Sequence, residues 1–323
     1  MDQKLDKSTR LENFPISFFA MVMGLSGLTI AWEKAQHLLG VNLHITTALV
    51  VVTTLLFTGL VLIYFSKLLR YREAVSKELS HPVKLNFFPT ISISFLLLSI
   101  AFLPLSSDIS RPLWLIGTSL HLLFTLYVAN IWIHHEHFEV NHINPAWFIP
   151  AVGNVLVPVA GMSHGYTDLS WFFFSIGMLF WVMLMTIIFY RILFHNPIDR
   201  KLMPTLFILI APPAVGFIAY IRLMGELDPF ARILYYSGLF LTLLLFTQAR
   251  RFLKLEFFLS WWAYSFPLAA ISIASMVMFE QTADIFYAWV GGGLLFLLTS
   301  LVVLLVVRTT KAVIRHRICV AEH

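Results

Sequence analysis

Apolar residues run along this chain in blocks of about twenty, each closed by a short polar break, and the rhythm holds from end to end. A helix needs about 20 consecutive apolar residues to cross the hydrocarbon core of a bilayer. Marked on that basis, the pattern predicts ten transmembrane helices, over 14–32, 45–66, 85–105, 112–133, 145–163, 170–193, 202–224, 232–249, 257–279 and 283–307. The chain then divides into a tail at 1–13, one membrane domain at 14–307 and a second tail at 308–323. The first apolar block is too long for a signal peptide and lacks a small-residue cleavage site, so it reads as a retained span. The expected fold class is an all-α integral membrane protein.

The prolines sort these spans into two kinds. Of 14 prolines, nine fall inside odd-numbered spans, apart from Pro145 at the edge of the fifth: Pro15, Pro89, Pro104, Pro150, Pro158, Pro204, Pro212, Pro213 and Pro267. Among the even spans only the fourth has one, Pro112, expected at the helix start, where a missing N–H costs nothing. An internal proline costs a helix about 3 kcal/mol, and in a bilayer the freed backbone group must be satisfied by water or protein. The odd spans are therefore expected as an inner ring of five kinked helices lining a pore. Each forms a hairpin with an unbroken even helix in an outer ring of five. The runs at 46–52, 294–298 and 301–307 in even spans are almost wholly aliphatic or aromatic, which suits contact with lipid.

Composition removes the alternatives to a membrane fold. The 323 residues are 59% hydrophobic and 12% charged, against about 25% charged in an ordinary soluble domain. No separate catalytic domain fits, and no enzyme activity is expected. With the N-terminus inside, 18 of the 22 Lys and Arg residues fall on the cytoplasmic side, and only Lys34, Arg111, Arg222 and Arg232 on the other. Cytoplasmic loops retain basic residues, so both termini are expected in the cytoplasm. The net charge of +5 then belongs to topology and anionic lipid, not to nucleic acid. The one cysteine, Cys319, lies in the polar tail and forms no intrachain disulfide.

Little reactive chemistry lies within the spans. Glu33, Lys34, Arg222, Glu226 and Glu280 fall near helix ends, which leaves His121, Asn154 and Gln248 as the deeper polar groups. Ionisable residues at bilayer depth are costly and mark function, and no carboxylate is placed there to relay a proton or sodium ion. His121 reads as a helix–helix hydrogen-bond donor, with a proton relay as the alternative. The densest polar cluster is His134, His135, Glu136 and His137, with Glu139 and His142 close by. Glu139 stands where a His-Glu-x-x-His metal motif needs its second histidine, so a solvated interfacial loop is expected, with no metal and no cofactor. The run Gly291-Gly292-Gly293 reads as close helix packing. Phe266, beside Pro267 in Trp261-Trp262-Ala263-Tyr264-Ser265-Phe266-Pro267, reads either as a hydrophobic gate or as a core ring at a kink.

Several short motifs recur in order along the whole chain. They are Asn13-Phe14-Pro15 leading to Gly24 and Ala31-Trp32, then His81-Pro82-Val83-Lys84 with Pro89, and Asn144-Pro145-Ala146-Trp147-Phe148-Ile149-Pro150-Ala151-Val152. Ala211-Pro212-Pro213, Leu234-Tyr235-Tyr236-Ser237-Gly238 and the stretch from Trp262 to Pro267 complete the series. With these motifs the chain resembles the tellurite-resistance/dicarboxylate-transporter family, which holds bacterial TehA-type channels, plant guard-cell slow anion channels and fungal malate carriers. The resemblance implies a homotrimer with one pore in each subunit, plugged midway by a phenylalanine that falls on Phe266 here. It further implies pore-lining or kink positions at Pro15, Phe19, Gly24, Pro89, Pro150, Asn154, Pro212, Ser265 and Pro267. Pro267 matches the plant channels and departs from bacterial members with glycine there, so the kink geometry is free to differ. The plant channels' long phosphorylated tails have no counterpart, and kinase control is not expected. The implied function is passive conduction of small inorganic anions, nitrate and chloride, across a bacterial inner membrane. The alternative is a proton-coupled carrier of a C4-dicarboxylate such as malate, or a tellurite-related carrier. Such a carrier calls for a cationic residue inside the membrane, and no odd span supplies one away from its ends.

Overall fold

The fold was analysed in a computed structural model, which describes residues 7–41, 43–134 and 138–319. Among the described residues there is no strand, and nine helices are long and apolar enough to cross a membrane. In chain order the apolar segments are α1 (Ile16–Leu39), α2 (Ile45–Arg70), α3 (Lys84–Phe102), α4 (Ser107–His134), α5 (Pro145–Gly161), α6 (Thr167–Phe194), α7 (Met203–Met224), α8 (Pro229–Phe246), α9 (Leu259–Thr282) and α10 (Ile285–Ile314). The shorter one is α5, in which 3-10 turns alternate with two five-residue α pieces, Phe148–Val152 and Val157–Gly161.

Burial divides the segments into two sets. The apolar windows of α1, α3, α7 and α9 are 67–83% buried, and every residue of α5 is buried, whereas the windows of α2, α4, α6, α8 and α10 are only 28–39% buried. Each of the five buried segments touches the next, and α9 returns to α1, while each exposed helix lies on the buried one just before it in the chain. The buried set also differs in backbone. Its members all begin with a 3-10 stretch, at Ile16–Phe18, Lys84–Phe87, Pro145–Trp147, Met203–Ile210 and Leu259–Tyr264, and none of the exposed helices does.

This arrangement corrects the expected role of proline. Pro89 directly precedes the α stretch Thr90–Phe102, Pro150, Pro158, Pro212, Pro213 and Pro267 lie within the first three residues of an α stretch, and Pro15 precedes the first 3-10 turn. The bonding pattern changes there from 3-10 to α, and a residue without an N–H costs least where the first turn has no α partner. The prolines therefore mark joints between two helix types, not breaks in one. Pro104 lies beyond the end of α3. Pro112 needs the opposite correction: α4 begins at Ser107, so this proline is inside the helix. Gln248 stands beyond the end of α8, at a turn.

A buried ion pair fixes the start of α1. Lys67 of α2, 1% exposed, donates to the Phe14 carbonyl at 2.9 Å and pairs with Glu78 at 3.0 Å, and the Tyr64 hydroxyl donates to the same carboxylate at 2.7 Å. Burying such a pair is tolerated when the remaining donors and acceptors are filled, as here. Cys319 is half-buried against the same cluster, not free in a polar tail. Burial raises its thiol above the usual range, partly offset by Arg10 and Lys67.

Candidate functional site: a cavity between the buried segments

A cavity of about 60 Å³ lies between the five buried segments, and all five line it while none of the described exposed helices does. Its walls come from Ala20 and Met23 of α1, Phe87, Thr90 and Ile93 of α3, Phe148, Ile149, Val152, Gly153, Val155 and Leu156 of α5, Ile208, Ala211, Pro212 and Val215 of α7, and Trp262, Ala263, Phe266 and Pro267 of α9. These positions cluster where each segment passes from 3-10 to α backbone. The lining is carbon almost throughout. Its one hydroxyl among the described residues, on Thr90, gives its hydrogen to the Phe87 carbonyl.

Phe266 stands in this wall. Most of α9 is buried, yet Phe266 and Ala263 keep partial exposure because they face the cavity. The backbone behind the ring is fixed by a close approach of α1. A Cβ on Gly24 would lie 2.2 Å from Ser265 Oγ, and one on Gly27 would lie 2.8 Å from the Ala269 Cβ and 3.4 Å from Phe266 Cδ2. Only glycine lets the two helices come so near. Ser265 Oγ donates to the Trp262 carbonyl at 2.6 Å, and Trp262 Nε1 donates to Thr309 of α10 at 3.0 Å, so the joint is held from both sides.

Of the positions singled out from sequence, the structure brings Phe266, Pro267 and Pro212 together on the cavity wall. Pro89, Pro150 and Asn154 are one residue removed from lining positions. Ser265 and Gly24 face each other across the α1–α9 contact. Phe19 packs edge-on against Phe57 and Tyr64 of α2, and Pro15 sits ahead of the first turn. Asn154 Nδ2 donates to Thr125 Oγ1 at 3.1 Å and to the Ala151 carbonyl at 2.6 Å, which secures the break in α5. Sequence reading missed Thr90, Phe148 and Gly153. Their signal was positional, since they follow the prolines and turns at which odd segments change helix type.

The charged groups gather at the two ends. Lys84 heads α3, Lys201 precedes α7 and Lys254 precedes α9. One exposed helix lies in the chain between each buried segment and the next, so the five run the same way and collect their positive dipole ends at that end of the bundle. At the opposite mouth Lys34 of α1 pairs with Glu280 of α9. Of the histidine cluster, His135, Glu136 and His137 lie outside the described residues, and among the described residues no three potential ligands are placed to hold a metal.

Comparison with known proteins places this geometry. The family model described as SLAC1, voltage-dependent anion channel, matches residues 13–310. An uncharacterized transporter of Methanocaldococcus jannaschii is 26% identical over 94% of this chain and 96% of its own length. The tellurite resistance protein TehA homolog of Haemophilus influenzae is 28% identical over 88% of this chain and 89% of its own length. The S-type anion channel SLAH2 of Arabidopsis thaliana is 29% identical over 85% of this chain, which spans about half of that longer protein (54%).

Proposed function

The chain belongs to the SLAC1 family of voltage-dependent anion channels, and on that premise we propose that it conducts small monovalent anions, nitrate and chloride, through the central cavity, with Phe266 as its gate. The observation that carries this reading is the cavity itself, walled by all five buried segments, with the partly exposed Phe266 on its wall. A carbon-lined constriction blocks ions by occlusion or by excluding water. With no fixed charge in the wall, the order among permeant anions follows the cost of stripping water. Nitrate and larger halides then pass more readily than strongly hydrated anions. The positive helix ends and lysines at one mouth draw anions and repel cations.

The ten segments act as five hairpins, the buried members forming the inner ring and the exposed ones the outer. Three copies assemble side by side, each with its own path. The large apolar faces of the outer helices meet lipid and the neighbouring copies. Both termini and the lysine-bearing mouth lie in the cytoplasm of a cell with this protein in its inner membrane, as the distribution of basic residues favours. Planar-bilayer recordings of the purified protein with chloride, nitrate and malate test the assignment. The expected result is a non-saturating conductance with nitrate at or above chloride and malate far below. A saturable malate flux tied to a proton gradient, without chloride or nitrate current, would replace this reading with a carrier.

A further inference from the structure

The helix α4 turns a buried polar stripe, Thr118, His121 and Thr125, toward the broken middle of α5. Thr125 is engaged there, sharing its hydroxyl hydrogen between its own helix and the Pro150 carbonyl, 2.7 Å away. His121 is different. Its Nδ1 lies 2.9 Å from Ser92 Oγ, and that hydroxyl has already given its one hydrogen to the Pro89 carbonyl at 2.8 Å. With the hydroxyl hydrogen on the Pro89 carbonyl, Nδ1 is the donor of this contact, and the neutral ring then carries a bare lone pair on Nε2. That atom is buried and has no partner among the described residues. It is aimed at Gly153, where a Cβ would stand 2.6 Å from Nε2. Gly153 lines the cavity, and so does Ile93, the residue next to Ser92. A single glycine backbone separates the lone pair from the space assigned to the anion.

An imidazolium buried without a counter-charge is strongly disfavoured. His121 faces Ser92 and Ile93 on α3, Gly153 on α5, and Thr118 and Thr125 on its own helix, none of which ionises, and no charged group among the described residues acts on it. Any counter-charge has to come from the cavity. We propose that His121 is a proton-binding site coupled to anion occupancy of the cavity, taking one proton on Nε2 when a small monovalent anion sits beside Gly153. The proton comes from water in the cavity, and the 3-10 turn Gly153–Leu156 between two short α pieces is where the backbone yields to admit it. Coupling of this kind is reciprocal: the anion favours the protonated ring, and the protonated ring favours the anion. Anion passage therefore rises as pH falls. The inference rests on the cavity being the anion path.

The test uses full-length protein in lipid nanodiscs with nitrogen-15 histidine, titrated from about pH 8 to about pH 4.5 in chloride and, separately, in gluconate at equal ionic strength. The His121 ring signal is assigned by its loss in His121→Gln. If that variant does not fold, Ser92→Ala assigns it instead, by releasing the tautomer now fixed on Nδ1. The expected signal shows the Nδ1–H tautomer at high pH, and its midpoint rises with chloride, toward about one pH unit per tenfold concentration as for tight one-to-one linkage. In proteoliposomes the ratio of nitrate flux at about pH 5.5 to that at about pH 7.5 is several-fold and collapses in His121→Gln. A midpoint indifferent to chloride, or a ring that stays neutral throughout in chloride, overturns the proposal whatever the flux. A chloride-dependent midpoint with no flux at any pH instead sinks the channel reading and leaves the proton–anion site standing.

Discussion

Consecutive helices α9 and α10 share one composition class and have opposite fates. The first starts as a 3-10 turn, carries Pro267 near its α start and has 83% of its apolar window buried, while the second runs unbroken for 30 residues with only 33% buried. Hydropathy does not separate them, because the exposed helix is the more apolar of the two. Backbone regularity does. Lipid offers no hydrogen bonds, so a segment that changes helix type is confined to the protein interior, and a straight, self-satisfied helix is free to face hydrocarbon. The same contrast separates α5, the most irregular and wholly buried segment, from its neighbours α4 and α6.

Glycine gives the largest expected effect with which to break this comparison. At Gly24 a Cβ meets Ser265 at 2.2 Å, whereas at Gly292 on α10 it meets nothing within 4 Å. Gly24→Val should yield no monodisperse folded protein on size exclusion. Gly292→Val should elute as the parent, with stability changed by no more than about 0.5 kcal/mol. Equal behaviour would mean that the two sets do not differ in packing. Tryptophan comes next. Trp114 is fully buried and donates to the Val157 carbonyl at 2.9 Å, while Trp289 is 77% exposed. Thermal unfolding in detergent should register a loss of about 3–5 kcal/mol for Trp114→Ala and little change for Trp289→Ala. The smallest effect concerns the hydroxyls that secure irregular backbone. Thr125→Val removes the 2.7 Å side-chain hydrogen bond to the Pro150 carbonyl and leaves Asn154 Nδ2, at 3.4 Å, as its side-chain donor, and a loss of about 1–2 kcal/mol is expected. The same replacement at the exposed Thr58, which bonds only within α2, should be nearly silent.

The alternation of buried and exposed segments was legible in the sequence because proline is a local signal with a global consequence: it sits where regular helix cannot continue, and such places must be inside. Which side of the joint each proline occupies was not legible, since 3-10 and α turns accept the same apolar residues. Pro112 shows the limit, being tolerated inside an exposed helix. The Lys67–Glu78 pair was also hidden, because the two residues sit on separate helices that meet only after the chain reverses at Tyr71. Phe266, which lines the cavity, was singled out as a candidate through its motif, whereas Thr90 and Gly153, with no motif chemistry of their own, needed the cavity to single them out.

Truncation of Phe266 tests most directly whether its ring closes a path. Current and thermal stability should be measured on the same purified Phe266→Ala preparation, beside Phe217→Ala of α7, whose ring is fully buried and outside the cavity lining. A core phenylalanine loses about 3–5 kcal/mol on truncation, and a ring facing open space has fewer contacts to lose. The expected outcome is a marked rise in basal nitrate and chloride current for Phe266→Ala at a smaller stability cost than for Phe217→Ala, which gains no current. A Phe266→Ala protein as destabilised as Phe217→Ala, with current no higher than the parent, would contradict the gate and leave the ring as ordinary packing.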